Sequence, residues 1–187
     1  MSIRRFVAGA AVSLCLAPFA QAQGLTGSSV TGAIYCCEAP TEEYRATNLV
    51  TATVGPGVEF PDGAFTSLIP GLEPVAATVD FGPNTVDLHY LASAPAAGGT
   101  FDGYVFTFSG APTITSVTLD PASTLTPASF SFTGNSILIN NADLALTPQS
   151  RVLLNVAVVP EPAAVALMLA GLGVLAVLGQ RRRQRVR

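Results

Sequence analysis

The chain of 187 residues has no lysine, no tryptophan, one histidine and three cysteines. Basic residues are almost missing from its middle. Between Gly24 and Val159 only Arg45 and Arg151 stand against eleven Asp and Glu, a net charge of about −9. Such a surface has nothing with which to neutralise phosphates, so a nucleic-acid partner is excluded. It suits a soluble secreted protein and would hold divalent cations only weakly. His89 is the only histidine, so any Ser–His or Cys–His mechanism would have to use it. It lies within an alternating segment, where a structural role is the simpler reading, and no Gly-x-Ser-x-Gly elbow exists in the chain. Phosphate-cradling loops, His-x-x-x-His pairs and the Rossmann fingerprint are also missing. No cofactor and no metal site are expected, and the chain reads as non-catalytic. A hydrolase would need a carboxylate pair drawn from Glu59, Asp62, Asp80 and Asp87, residues that only the fold could bring together.

Seven of the nine Arg residues sit at the two ends. Residues 1–22 have the three parts of a secretory signal peptide. Arg4 and Arg5 precede an apolar stretch from Phe6 to Phe19 and a small-residue cleavage site at Ala20 and Ala22. Arg4-Arg5 reads first as ordinary n-region charge, with the twin-arginine route as the alternative. Cys15 leaves with the signal.

At the other end Pro160-Glu161-Pro162 precedes Ala163–Gly179, 17 residues without charge or side-chain hydrogen-bonding groups. As a helix this run is roughly 26 Å long, the short end of what spans a bilayer core. Its eight Leu and Val residues make insertion favourable by only a few kcal/mol. The two prolines set a break just before it. Arg181, Arg182, Arg183, Arg185 and Arg187 follow, a block that resists translocation and stays cytoplasmic. The physics alone is satisfied by an ordinary tail anchor.

The order Val159-Pro160-Glu161-Pro162, apolar helix, terminal Arg cluster resembles the PEP-CTERM sorting signal of exported Gram-negative proteins. The resemblance implies recognition by an exosortase, a membrane-embedded cysteine transpeptidase-like enzyme, with transient anchoring in the inner membrane and removal of the tail. The protein would then reach the cell surface or the extracellular matrix, as in biofilms, with exopolysaccharide as an accompanying partner. Tails of this kind are also described as the C-terminal segment of ice-binding proteins, which implies an association and no activity here.

Residues 23–159 are long enough for one domain with one core. Val30–Cys37 has strand character. Its Cys36-Cys37 pair reads first as two unbonded thiols, because strand neighbours point to opposite faces and a bond would need a distorted ring. A vicinal or intermolecular disulfide is the second reading and a metal site the third. Glu38, Glu42 and Glu43 fall in a polar loop, with calcium binding as the minor alternative. Strands are expected at Asn48–Val54, Val58–Phe60, Ala64–Ile69, Val75–Asp80 and Asn84–Leu91. Ala92–Gly99 reads as a loop. Tyr104, Phe106 and Phe108 face one way on the next strand, followed by Thr113–Leu119. Phe130 and Phe132 flank a Gly134-Asn135 turn into Ser136–Asn140, a hairpin, and Arg151–Val159 closes the set.

About ten short strands, no amphipathic helix, and 14 Pro with 17 Gly predict an all-β domain, a single β-sandwich or jelly-roll-like fold. The aromatic stripes are then core. Gly57-Val58-Glu59-Phe60, Phe101-Asp102-Gly103-Tyr104-Val105-Phe106 and Val117-Thr118-Leu119-Asp120 also resemble a β-rich body recurrent among PEP-CTERM proteins, which implies the same fold and no assigned site. A structural or interaction protein is the leading reading. A carbohydrate- or ice-binding module comes second, although the absence of Trp weakens a sugar platform and Thr51-Thr53 and Thr113-Thr115 do not recur at a fixed period. A carboxylate-dependent glycoside hydrolase comes third.

Overall fold

The computed structural model describes residues 24–159. Short alternating segments punctuated by Gly, Pro and Asn become twelve strands in that span, with a single helical turn at Glu42–Tyr44. In chain order they are β1 (Ser29–Cys36), β2 (Val50–Thr53), β3 (Val58–Phe60), β4 (Ala77–Phe81), β5 (Thr85–Tyr90), β6 (Ala94–Pro95), β7 (Asp102–Ser109), β8 (Thr113–Leu119), β9 (Ser129–Phe132), β10 (Ser136–Asn140), β11 (Ala145–Leu146) and β12 (Arg151–Val159). Ten of them form two five-stranded sheets, in the orders β2-β1-β7-β10-β9 and β3-β4-β5-β12-β8, and β6 pairs with β11 as a short ribbon. Every pairing is antiparallel.

The two sheets face each other across one apolar core. Val86, Leu88 and Tyr90 of β5 point inward while Asp87 and His89 point out, as their alternation predicts. Val152, Leu154 and Val156 do the same from β12, and Val30, Phe106, Phe108, Ile137 and Ile139 close the layer from the other sheet. Aromatic rings bridge the layers. Phe81 meets Phe106 edge-on at 5.1 Å and Phe108 at 5.5 Å, and Phe60 stacks on Phe106 at 5.9 Å. Such pairs are each worth about 0.5–1.5 kcal/mol beyond their burial. Gly32 lies directly opposite Phe106 in the β1–β7 register. A Cβ there would come within 3.0 Å of the ring, so the glycine makes the space that the phenyl group occupies.

Three sequence expectations change. Ala64–Ile69 is not a strand and contributes only the bridge Thr47↔Ser67. Confined between Pro61-Asp62-Gly63 and Pro70-Gly71, its amides bond locally or sideways. Thr66 N–H donates to Asn48 Oδ1 and Ile69 N–H to Ser67 Oγ. Part of the loop expected over residues 92–99 is the β6 half of the ribbon, paired to β11. The β9–β10 hairpin forms around Gly134-Asn135, but β9 is an edge strand. Phe132 is therefore 40% exposed rather than core, while Phe130 is half-buried and packs against the core.

The fourth change is chemical. Cys36 and Cys37 form a disulfide, with Cα atoms 3.7 Å apart, and are not two free thiols. The strand argument fails because β1 ends at Cys36. Cys37 leaves the extended region for a left-handed φ of 86°, so the two side chains no longer point to opposite faces. Its N–H donates to Phe101 O at 2.6 Å and its carbonyl accepts Thr100 N–H at 3.1 Å, which ties the pair to the start of β7. The signal peptide 1–22 with Ala20 and Ala22, the Pro160-Glu161-Pro162 motif, the span 163–179 and Arg181, Arg182, Arg183, Arg185 and Arg187 lie outside the described residues. Among the described residues no helix is long and apolar enough to cross a membrane.

Phe106→Ala is expected to destabilise the domain by about 3–5 kcal/mol, because it removes a fully buried ring from the centre of the aromatic set; urea denaturation measures this. For the cysteine pair, a vicinal bond closes almost no loop, so its loss changes the unfolded chain little. Its local effect is to hold Cys37 at positive φ, which costs about 1–3 kcal/mol in a non-glycine residue. C36S/C37S is expected to melt several degrees lower, and C36S/C37G to recover most of that difference in thermal scans.

Candidate functional site

Of the four carboxylates that could have formed a catalytic pair, Glu59 and Asp87 are drawn to structural partners. Glu59 accepts the Gly55 and Phe81 amides, both at 2.8 Å, and so holds the turn before β3 against β4. Asp87 is gripped by Arg151 through two bonds of 2.7 and 2.6 Å, a fork-to-fork pair on the outer face of the second sheet. That pair holds the Arg151 guanidinium above its ordinary value. Asp62 is exposed in its turn. Asp80 faces Asp87 in the β4–β5 register, the one cross-strand pairing among the four. His89 Nε2 donates to the Pro148 carbonyl oxygen at 3.1 Å. Glu42 pairs with Arg45 at 3.0 Å, and among the described residues no group of three or more His, Cys, Asp or Glu is arranged to hold a metal.

Two other features assemble from residues far apart in sequence. On the outer face of the first sheet, the registers align Thr51, Thr31, Thr107 and Ser136 in a row across β2, β1, β7 and β10. Thr31 and Thr51 hydroxyls are 2.8 Å apart, and Thr107 and Ser136 are 3.3 Å apart. Thr53, Ser29 and Ser109 form a second row two residues along. The threonines lack a period along the chain, yet the pairing of strands places hydroxyls at the interstrand spacing of about 4.8 Å.

The second feature is a cavity of about 290 Å³ at the end of the sandwich where β1 and β5 finish and β7 begins. Its walls are mostly apolar: Ile34, Val75, Pro95, Leu146 and the rings of Tyr90 and Tyr104, with Cys36 of the disulfide among them. The polar groups are few, and a hydrogen-bond knot positions them. Asn140, last in β10, accepts the Asp102 and Ala142 amides on Oδ1, both at 3.0 Å, and donates to Thr100 O. Asn141 N–H then donates to Asp102 O at 2.7 Å. Gly103 makes the crossing feasible, since a Cβ there would fall 1.9 Å from Ile139 O.

Four side chains carry the chemistry of this cavity. Asn141 is 99% buried; its Nδ2 donates to Tyr90 Oη at 2.8 Å, and its Oδ1 has no partner among the described residues. Burial raises the Tyr90 hydroxyl well above its ordinary value, and burial followed by the Asp102 charge does the same for Tyr104, so both stay protonated. Asp102 Oδ2 accepts Ala97 N–H at 2.6 Å, yet burial still lifts its carboxyl above the usual value. None of these residues stood out as a site in the sequence. Tyr104 reads as a core aromatic and Asp102 as one residue of the Phe101–Phe106 stretch, with no site assigned to it. The available signal was the Asn140-Asn141 doublet, two amides in a row where an apolar strand ends.

Asp102 is half-buried with a raised carboxyl, so the folded state binds its proton more tightly than the unfolded chain. Its contribution therefore falls as pH rises from the ordinary aspartate range through the folded-state value. Asp102→Asn keeps an acceptor for Ala97 and removes the charge. The variant is expected to match the parent near pH 3 and to melt higher at neutral pH, which thermal scans across pH would show.

Residues 158–183 match the PEP-CTERM protein-sorting motif. No curated protein and no solved structure matches the chain. The motif covers Pro160-Glu161-Pro162, the apolar span and Arg181, Arg182 and Arg183. It also takes in Val158 and Val159, the last two residues of β12, which still pair with Ile114 and Thr113 of β8. No spacer separates the sandwich from the motif, and a motif of this kind implies export and exosortase handling. The chain carries a PEP-CTERM protein-sorting motif, and that motif begins within its last core strand.

Proposed function

We propose that the protein is an exported, non-catalytic component of the cell surface or extracellular matrix, held in the inner membrane only until an exosortase removes its tail. The observation that carries this reading is the motif at residues 158–183 following a closed β-sandwich without a linker. A folded domain butted against its own sorting signal suits a display role. The acidic, lysine-free body fits an extracellular setting. The absence of catalysis is supported by the structural ties of Glu59, Asp87 and His89 described above.

The hydroxyl rows on the first sheet favour a second reading, a module that contacts exopolysaccharide or ordered water, as in carbohydrate or ice binding. Rows of Thr and Ser across a pleated sheet offer donors and acceptors at regular spacing without an aromatic platform.

Replacing Pro160, Glu161 and Pro162 together by Ala is expected to leave export intact and to trap the protein, unprocessed, in the inner membrane. Fractionation and intact mass check this. The parent should begin near Gln23 and end near the Pro-Glu-Pro segment, and the variant should run to Arg187. Normal release of the variant would reduce the tail to a plain anchor.

A further inference from the structure

We propose that the cavity at the end of the sandwich is a binding site for a small organic ammonium ion with an apolar body, its charged head held between Asp102 and the free Oδ1 of Asn141. The size, the wall and the unpaired groups point the same way. At about 290 Å³ the cavity is roughly twice the volume of an engineered apolar cavity that holds benzene. It therefore suits a molecule of about ten non-hydrogen atoms. Its wall is built from aliphatic side chains and tyrosine rings, which a hydrocarbon or aryl body would cover and water would wet poorly.

The polar end selects the head group. Among the described residues Asn141 Oδ1 is a buried acceptor without a donor, which folded proteins rarely leave uncompensated. The group that meets it must donate. Among the described residues the charged side chains in the wall are Asp102 and Glu73, both carboxylates, and no Arg or His lines the cavity. An anionic ligand would be repelled, and a neutral one would leave the half-buried Asp102 uncompensated. An ammonium group supplies three donors and a positive charge, and can serve both side chains at once. The backbone bond from Asn141 N–H to Asp102 O keeps the two residues adjacent, and the rings of Tyr90 and Tyr104, centroids 6.5 Å apart, lie in the same wall. Such rings favour a cation further.

The probe is 2-phenylethylamine, compared with 2-phenylethanol and phenylacetate by calorimetric titration of the protein purified from its host near pH 7. The amine is expected to bind saturably at one site. The alcohol should bind at least tenfold more weakly, and phenylacetate should not bind. Asp102→Asn is expected to weaken the amine at least tenfold while its melting temperature stays level or rises, which separates a lost contact from a lost fold. Asn141→Leu should weaken the amine as well and leave the alcohol's binding no weaker. The absence of saturable amine binding would overturn the site and leave a water-filled cavity. Equal binding of amine and alcohol, or an Asp102→Asn variant that binds the amine unchanged, would overturn the assignment of the head group. The outcome is independent of tail processing, so it stands or falls apart from the display role.

Discussion

The structure depends on one contact between layers, the edge-on meeting of Phe81 from one sheet with Phe106 and Phe108 from the other. Two antiparallel sheets can slide over each other unless interdigitated side chains fix their relation. Here β7 presents Tyr104, Phe106 and Phe108 on one face, and β3 and β4 answer with Phe60 and Phe81. The set needs space as much as it needs rings, and Gly32 provides it by leaving the β1 position opposite Phe106 empty. A one-residue slip of β7 would turn all three rings to the outside. The register that the aromatics impose is therefore also the register that lines up the hydroxyls of Thr31, Thr51 and Thr107 on the opposite face.

The same stripe explains why the cavity lies where it does. Along β7 the rings change from phenylalanine to tyrosine at Tyr104, and its neighbour across the layers is Tyr90 at the end of β5. Phenyl rings close the centre of the sandwich, and tyrosines bring hydroxyls to its rim. A buried hydroxyl demands a partner, and Asn141 supplies one for Tyr90. Placing an amide at that depth requires the Asn140 knot, which bends the chain out of β10 and returns it to Asp102. The orphaned Oδ1 is the consequence of that arrangement: one end of the amide is committed to Tyr90, and the other is buried without a donor among the described residues. A core built only for stability would carry leucine at this place.

The sequence reveals the features that are local. Local pattern placed β5, β8 and β12 almost to the residue, and Gly134-Asn135 marked the β9–β10 hairpin. Where strand identity depends on a partner, local reading fails. Ala64–Ile69 has the composition of a strand but finds its hydrogen bonds in Asn48 and in its own loop. Ala94–Pro95 has the composition of a loop but finds β11. Phe130 and Phe132 alternate like core residues yet occupy an edge, because nothing in the sequence says which strand ends a sheet. The cysteine pair failed for a different reason. The extended-chain argument was sound for a strand interior, but the strand stops between the two residues. The cavity was illegible because its parts come from β5, β7 and the chain after β10, and only the register brings them together.

Charge separates the fold from its address. The body keeps two of the nine arginines, and both are committed to carboxylates, Arg45 to Glu42 and Arg151 to Asp87. A basic cluster on the body would compete with the terminal arginines as a topological signal, since positive charge near an apolar span decides which side stays in the cytoplasm. Under the transient anchoring proposed above, a body nearly free of cations would leave the Arg block behind residues 163–179 unopposed. The sandwich meanwhile ends as abruptly as its geometry allows. Val158 and Val159 are still paired to Ile114 and Thr113 of β8 and already belong to the sorting motif. Two residues thus serve the fold and the signal together.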